Sequence, residues 1–169
     1  MKKIGVFGSE YQADKLLVIK RLFEKLTSLG AEVFVDRDFF LFLTDVLNYE
    51  PSVSGILTSD EFDLDVALSL GGDGTFLRTA ARVNKQDIPI LGINTGRLGF
   101  LADVASNDIE DTLDELFENY YKTEERTLLR LHTEDRVFHG YNYALNEIAI
   151  LKRDTSSMIT IHTALVGEY

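Results

Sequence analysis

Asp73 is the residue of this chain best placed to do chemistry, because of its setting in Gly71-Gly72-Asp73-Gly74-Thr75. Consecutive glycines open backbone angles closed to other residues and let a ligand come close to the main chain. A helix starting beside them offers unpaired N–H groups and the positive end of its dipole, a combination that suits phosphate. The same helix end keeps an aspartate ionised at neutral pH. An ionised carboxylate can accept a hydrogen bond from a hydroxyl, orient it and take its proton as a phosphoryl group is transferred. Such transfer is largely dissociative, so a weak base suffices, whereas this aspartate would serve poorly as a base for carbon acids. The plainer alternative is that Asp73 caps the helix and the glycines only make a tight turn.

Stepping outward, the elements that must hold this loop can be read from apolar spacing. Residues 66–70 and 88–93 have the length and bounding glycines of buried parallel strands, and residues 76–83 between them are rich in helix formers. The stretch is one strand–helix–strand unit. Its second strand empties into another glycine-bearing loop, Asn94-Thr95-Gly96-Arg97-Leu98-Gly99-Phe100. In doubly wound sheets, ligands bind at strand ends where the strand order reverses, so two such loops on one edge predict a crevice. It is not a P-loop, since no GxxxxGK followed by Ser or Thr occurs. Gly5-Val6-Phe7-Gly8 lacks the three-glycine dinucleotide fingerprint, and Asp36, which could imitate its ribose-binding acid, reads more simply as a surface turn acid.

Further elements follow in order. Residues 3–7 predict a first strand, and Ser9 with Gln12 forms a capping box before a helix carrying Leu16, Ile19, Phe23, Leu26 and Leu29, stopped by Gly30. Residues 32–35 predict a second strand, 38–48 a helix and 51–61 a polar loop. Ser106 or Asn107 begins a helix to about 120 that turns Ile109, Leu113, Leu116 and Phe117 inward and an acidic, solvated face outward. From about 123 the pattern becomes extended, over 126–132, 136–143, 144–151 and 157–166. This predicts a Rossmann-like α/β domain over 1–122, a parallel sheet with helices on both faces. The beginning of a β-rich domain is expected over 123–169. The last strand has no further partner, which predicts an exposed edge and an incomplete second domain.

Composition narrows the function. The 169 residues carry 28 acids against 17 bases, a net charge of -11, which argues against nucleic acid or an anionic membrane as partner. It leaves room for a nucleotide held by backbone donors. With no Cys there is no disulfide, thiol nucleophile or Cys-ligated metal. No apolar run suits a secretory signal or a membrane span, so a cytoplasmic protein is expected.

LSLGGDGTFLRTA, followed by ILGINTGRLGFLADV and then YALNEIAI, closely resembles the NAD kinase family. GGDG alone is shared with diacylglycerol and sphingosine lipid kinases and, more loosely, with phosphofructokinases; the NTGRLGFL loop and the Asn-Glu pair narrow the match. The resemblance runs over almost the whole chain and implies an α/β domain followed by a β-sandwich domain. It implies phosphorylation of the adenosine-ribose 2'-hydroxyl of NAD to give NADP, with ATP or polyphosphate as donor. Asp73 would be the base, and Gly71, Gly72, Gly74 and Thr75 the phosphate loop. Arg78, one turn beyond Gly74, would face the phosphates; otherwise it is a solvated helix cation. Phe100 would line the adenine pocket; otherwise it is a core aromatic.

Asn146 and Glu147 would hold the ribose hydroxyls, although strand alternation by itself would put one of them on the surface. A divalent cation, Mg²⁺, is expected to neutralise phosphate charge, with no protein ligand assignable. The family's GSTAYS-like segment and its acidic Asp-Gly element have no counterpart here. The chain alone is therefore expected to be an inactive fragment, and the full-length protein a homo-oligomer. The competing readings are a lipid kinase, which the negative charge disfavours, and a non-catalytic nucleotide-binding module.

Overall fold

Strands apolar on both sides belong to a sheet covered on both sides, and this chain builds one. The computed structural model describes residues 1–10, 13–84, 86–96, 99–133, 142–152 and 158–165. In β1 (Lys3–Gly8), Ile4 and Val6 are buried on one face and Phe7 on the other. β4 (Val66–Gly71) is buried along its whole length. With β2 (Glu32–Asp36), β3 (Gly55–Leu57), β5 (Ile90–Asn94) and β6 (Val104–Ala105) they form a six-stranded sheet in the order β3-β2-β1-β4-β5-β6. Every pairing is parallel. The chain steps outward from β1 through β2 to β3, then returns to the other side of β1 as β4. The order reverses between β1 and β4, and that is where a crevice must open.

One face carries three helices and the larger core. α1 (Leu16–Ser28) brings Ile19, Leu22, Phe23 and Leu26 onto the sheet, and Gly30, at φ 69°, ends it. α2 (Arg37–Leu41) runs directly into a π-helical turn, Phe42–Val46, so the helix expected over 38–48 is present in two windings. α4 (Ile109–Phe117) adds Ile109, Leu113 and Leu116. α3 (Asp73–Val83) lies on the opposite face, where Val83 joins Phe7, Leu57, Leu64, Ala67 and Ile88. Helices on both faces of a parallel sheet are what the apolar spacing predicts.

Some expectations need correction. The helix after β1 starts at Leu16 behind a short 3-10 turn (Ala13–Lys15) and has no side-chain cap. Ser9 therefore stands seven residues before it, too far to act as its N-cap; Gln12 lies outside the described residues. The segment 51–61 contains β3, which pairs with β2 from Phe34↔Gly55 to Asp36↔Leu57. Three residues are too few to show a period of two. β6, with two residues, escaped for the same reason. The acidic face of α4 is not simply solvated. Glu110 accepts from Arg21 Nε and Nη2 of α1 at 3.1 and 2.9 Å, and Asp114 accepts from Lys25 Nζ at 2.6 Å.

Beyond α4, the described residues form one short antiparallel ladder, β7 (Leu129–Arg130) with β8 (Tyr143–Ala144). Residues 145–152 and 158–164 join no ladder, and Met158 is 98% exposed. The strand expected over 144–151 thus ends at Ala144. In the segment 157–166, residues 158–164 are not strand, and Leu165 makes only an isolated bridge. Most of segment 136–143 lies outside the described residues.

Candidate active site

β4 ends at Gly71, whose φ of 156° suits glycine, and Gly72 precedes the first turn of α3. α3 is anchored by polar contacts buried beneath the loop. Thr79 Oγ1 donates to the Thr75 carbonyl at 3.0 Å and is hydrogen-bonded to Ser69 Oγ at 3.1 Å, so the helix is pinned to β4 just under the glycines. Thr75 itself is buried. A side chain at Gly72 or Gly74 would meet nothing within 4 Å. The space over the first loop is open to whatever approaches it.

Asp73 does not cap α3; no side-chain cap is present there. Its carboxylate turns instead to the second loop. Oδ2 accepts from the Phe100 amide at 2.9 Å and Oδ1 from the Leu101 amide at 3.0 Å. These bonds, first that from Phe100, then that from Leu101, with a lesser one from Ala102, hold the carboxyl below its ordinary range against a small opposing effect of burial. The sequence predicts an ionised Asp73 from its helix end. The ionisation is favoured, but chiefly by amides some 27 residues away in sequence.

At the switch between β1 and β4 lies a cleft of about 530 Å³, whose walls include Phe7, Gly8, Asp36, Thr75, Arg78 and Arg82. Arg78 is exposed and donates to Thr75 Oγ1 at 3.3 Å, so it is neither buried nor wholly solvated but laid along the cleft. Asp36 is not a surface turn acid. Its side chain is 19% exposed and pairs with Arg82 Nε at 3.2 Å. Asp73 is not among the lining residues; its carboxylate is turned to the second loop.

Phe100 is not a core aromatic: its side chain is 92% exposed beside the amide that holds Asp73. Arg97 and Leu98 lie outside the described residues. Asn146 and Glu147 follow β8 in a bend, both exposed. They are not strand residues, so alternation does not sort them. Leu145, just before them, helps wall a second cavity of about 360 Å³ with Phe76, Leu101, Leu116, Tyr120 and Tyr121. The structure thus unites Gly71, Gly72, Asp73, Gly74, Thr75, Arg78 and Phe100 on one edge of the sheet, and leaves Asn146 and Glu147 on a separate exposed segment.

Sequence reasoning missed Gly99, the amides of Leu101 and Ala102, Thr79 and Arg82. Backbone donors leave no mark in residue type, although the spacing of the second loop pointed to the right segment. No group of three or more His, Cys, Asp or Glu able to hold a metal occurs among the described residues.

This order of strands, with a glycine loop and an ionised carboxylate at its carboxyl edge, defines a Rossmann-like α/β protein with a ligand crevice at the switch point. A family model described as the ATP-NAD kinase N-terminal domain matches residues 19–121. The chain belongs to that family. A protein named NAD kinase from Bacteroides fragilis is 48% identical over 167 residues, covering 99% of this chain and 58% of its own length. One of the same name from Porphyromonas gingivalis is 41% identical over 169 residues, covering 100% of this chain and 58% of its own length. The chain therefore spans somewhat more than half the length of these curated relatives. A crystal structure of yeast NADH kinase complexed with NADH has the same fold, with a TM-score of 0.67 and 18% identity over 85% of this chain and 46% of that one.

Proposed function

We propose that this chain carries the catalytic carboxylate of a NAD kinase, which phosphorylates the adenosine-ribose 2'-hydroxyl of NAD with ATP or polyphosphate as donor. The observation that carries the proposal is the Asp73 carboxylate, kept ionised between two glycine loops at the carboxyl ends of β4 and β5. The Phe100 and Leu101 amides each reach one of its oxygens, and a carboxylate has about four acceptor sites, so it can still accept from a substrate hydroxyl. As the new bond forms between the 2'-oxygen and the γ-phosphorus, the 2'-hydroxyl proton passes to Asp73. The bond from the γ-phosphorus to its bridging oxygen breaks, and ADP leaves with that oxygen. The transition state is loose, so a base of low pKa is adequate and its aim matters more than its strength.

In this reading Gly71, Gly72, Gly74 and Thr75 receive phosphate oxygens at the start of α3, and Arg78 meets the phosphates from the cleft. Phe100 offers its exposed ring to adenine. Asn146 and Glu147 hold the ribose once their segment is carried over the crevice. Magnesium would arrive on the nucleotide phosphates rather than on a protein site, and would neutralise their charge. Residues 1–122 form the α/β domain and 123–169 begin a β-rich domain, which the remaining length of the relatives would complete. The full-length protein is a cytoplasmic homo-oligomer in this reading.

The test is NADP formation by the full-length protein with NAD and either ATP or polyphosphate, beside diacylglycerol and sphingosine as rival acceptors. NAD turnover is expected, with none on the lipids. Binding of nucleotide without any turnover would instead favour a non-catalytic module. The 169-residue chain alone is expected to fold but to give no measurable NADP, because positioning of two bound reactants contributes ~7–11 kcal/mol and part of the enclosure is absent.

A further inference from the structure

Gly99 faces the Asp73 carboxylate with nothing but hydrogen. A Cβ built there would overlap Asp73 Oδ1 and Cγ outright and lie 2.7 Å from Oδ2. Gly96, three residues earlier in the same loop, has no such constraint: a Cβ there would meet nothing within 4 Å. The close approach at Gly99 falls immediately before the amides of Phe100 and Leu101, which reach the carboxylate at 2.9 and 3.0 Å. The loop must come this near for those bonds to form, and a side chain at 99 would hold it away.

We propose that Gly99 is a positioning residue for Asp73: lacking a side chain, it lets the second loop close on the carboxylate and fixes where that carboxylate points. The first loop supplies the acid, and the second determines its aim. Among the described residues, amides of the second loop favour the ionised form of Asp73, with burial opposing them. Its ionisation should therefore follow the closure of the loop. The contact itself rests on geometry alone, and only its consequence for turnover rests on the reading of Asp73 as the base.

The test uses four variants of the full-length protein: Gly99→Ala, Gly96→Ala, Asp73→Ala and the double variant Asp73→Ala with Gly99→Ala. Crowding of this kind should lower the Tm by roughly 2–12 °C in Gly99→Ala. Most of that loss should vanish when Asp73 is already alanine, because the obstacle is then gone. Gly96→Ala should leave the Tm and the carbon-13 titration of the Asp73 carboxyl as they are. In Gly99→Ala that titration should move up toward the ordinary aspartate range, and kcat should fall about 10- to 100-fold, a much larger change than in KM.

Equal Tm losses in both backgrounds, or an unmoved titration in a folded Gly99→Ala, would overturn the proposal. If Gly99→Ala does not fold while the double variant does, the coupling is read directly; if neither folds, the carboxylate is not the obstacle and the proposal falls. A moved titration with unchanged kcat would uphold the positioning contact and remove Asp73 as the base, so the two readings fail separately.

Discussion

Arg82, in the last turn of α3, reaches across the carboxyl edge of the sheet to Asp36 at the end of β2, with 3.2 Å between Nε and Oδ1. The acid that would hold a ribose in a dinucleotide fold is here engaged by a cation of the same chain. Arg82 also donates to Asp60 and to the Ser59 carbonyl, and its guanidinium lies 5.8 Å from the centre of the Phe62 ring. Gln86 completes the clasp by accepting from the Phe62 amide at 2.9 Å. The connection from β3 to β4 is thereby fastened to the end of α3.

The two acids of this clasp should differ in weight. Asp36 is largely sheltered whereas the Asp60 side chain is 96% exposed. Asp36→Ala should cost about 1 kcal/mol and Asp60→Ala less than about 0.5 kcal/mol, read from urea midpoints at constant m. A larger cost at Asp60 would mean that exposure is not what ranks the two pairs.

Asp73→Asn keeps the shape of the side chain and removes the base. We expect kcat to fall ~10²–10⁴-fold, toward the lower end because dissociative transfer asks little of a base. The amides hold the folded carboxyl below its usual range, so loss of activity through protonation of Asp73 should appear only below about pH 4. An acid limb assigned to Asp73 near neutrality would contradict the amide contacts, and full turnover in a folded Asp73→Asn would remove its catalytic role.

The parts of the fold that were legible in sequence share a physical cause. β4, α3 and β5 are long enough, and apolar enough on both sides, for spacing alone to mark them. β3 and β6 owe their existence to pairing with β2 and β5, which residues 55–57 and 104–105 do not announce. In the site, the glycines and Asp73 were visible because residue type carries their chemistry. The carboxylate's partners were not, since a main-chain N–H is common to nearly every residue, and residue type does not tell Gly99, which faces Asp73, from Gly96, which faces nothing. The acidic face of α4 was misjudged because its partners Arg21 and Lys25 lie 89 residues away.

Glu110 provides a pH test of that last contact. Its hydrogen bond from Arg21, and then the charge of Arg21, hold its carboxyl below the ordinary value. A depressed folded pKa means that the contribution is present above the unfolded value, about 4.3, and is lost as pH falls through the folded one. Glu110→Gln should thus be less stable than the parent at neutral pH and converge with it in acid. The gap should shrink as salt is added, because both side chains are well exposed. A gap independent of both pH and salt would show that packing, not the ion pair, joins α1 to α4.

Phe100 separates backbone from side chain at a single residue. Its amide holds Asp73 whatever the side chain, while its ring, 92% exposed, supports nothing in the fold. Phe100→Ala should therefore change stability by less than about 0.5 kcal/mol. If the ring stacks on adenine, a contact worth ~1–3 kcal/mol, the Kd for NAD should rise roughly 5- to 150-fold. Turnover at saturating NAD should stay within about threefold, because the lost contact is made equally before and during the reaction. Replacing Asn146 and Glu147 by Ala gives the companion measurement: weaker NAD, with ATP affinity nearly unchanged. A Phe100→Ala protein that loses kcat but not NAD affinity would mean that the ring acts on the second loop itself, and an unchanged Kd with unchanged kcat would remove Phe100 from the site.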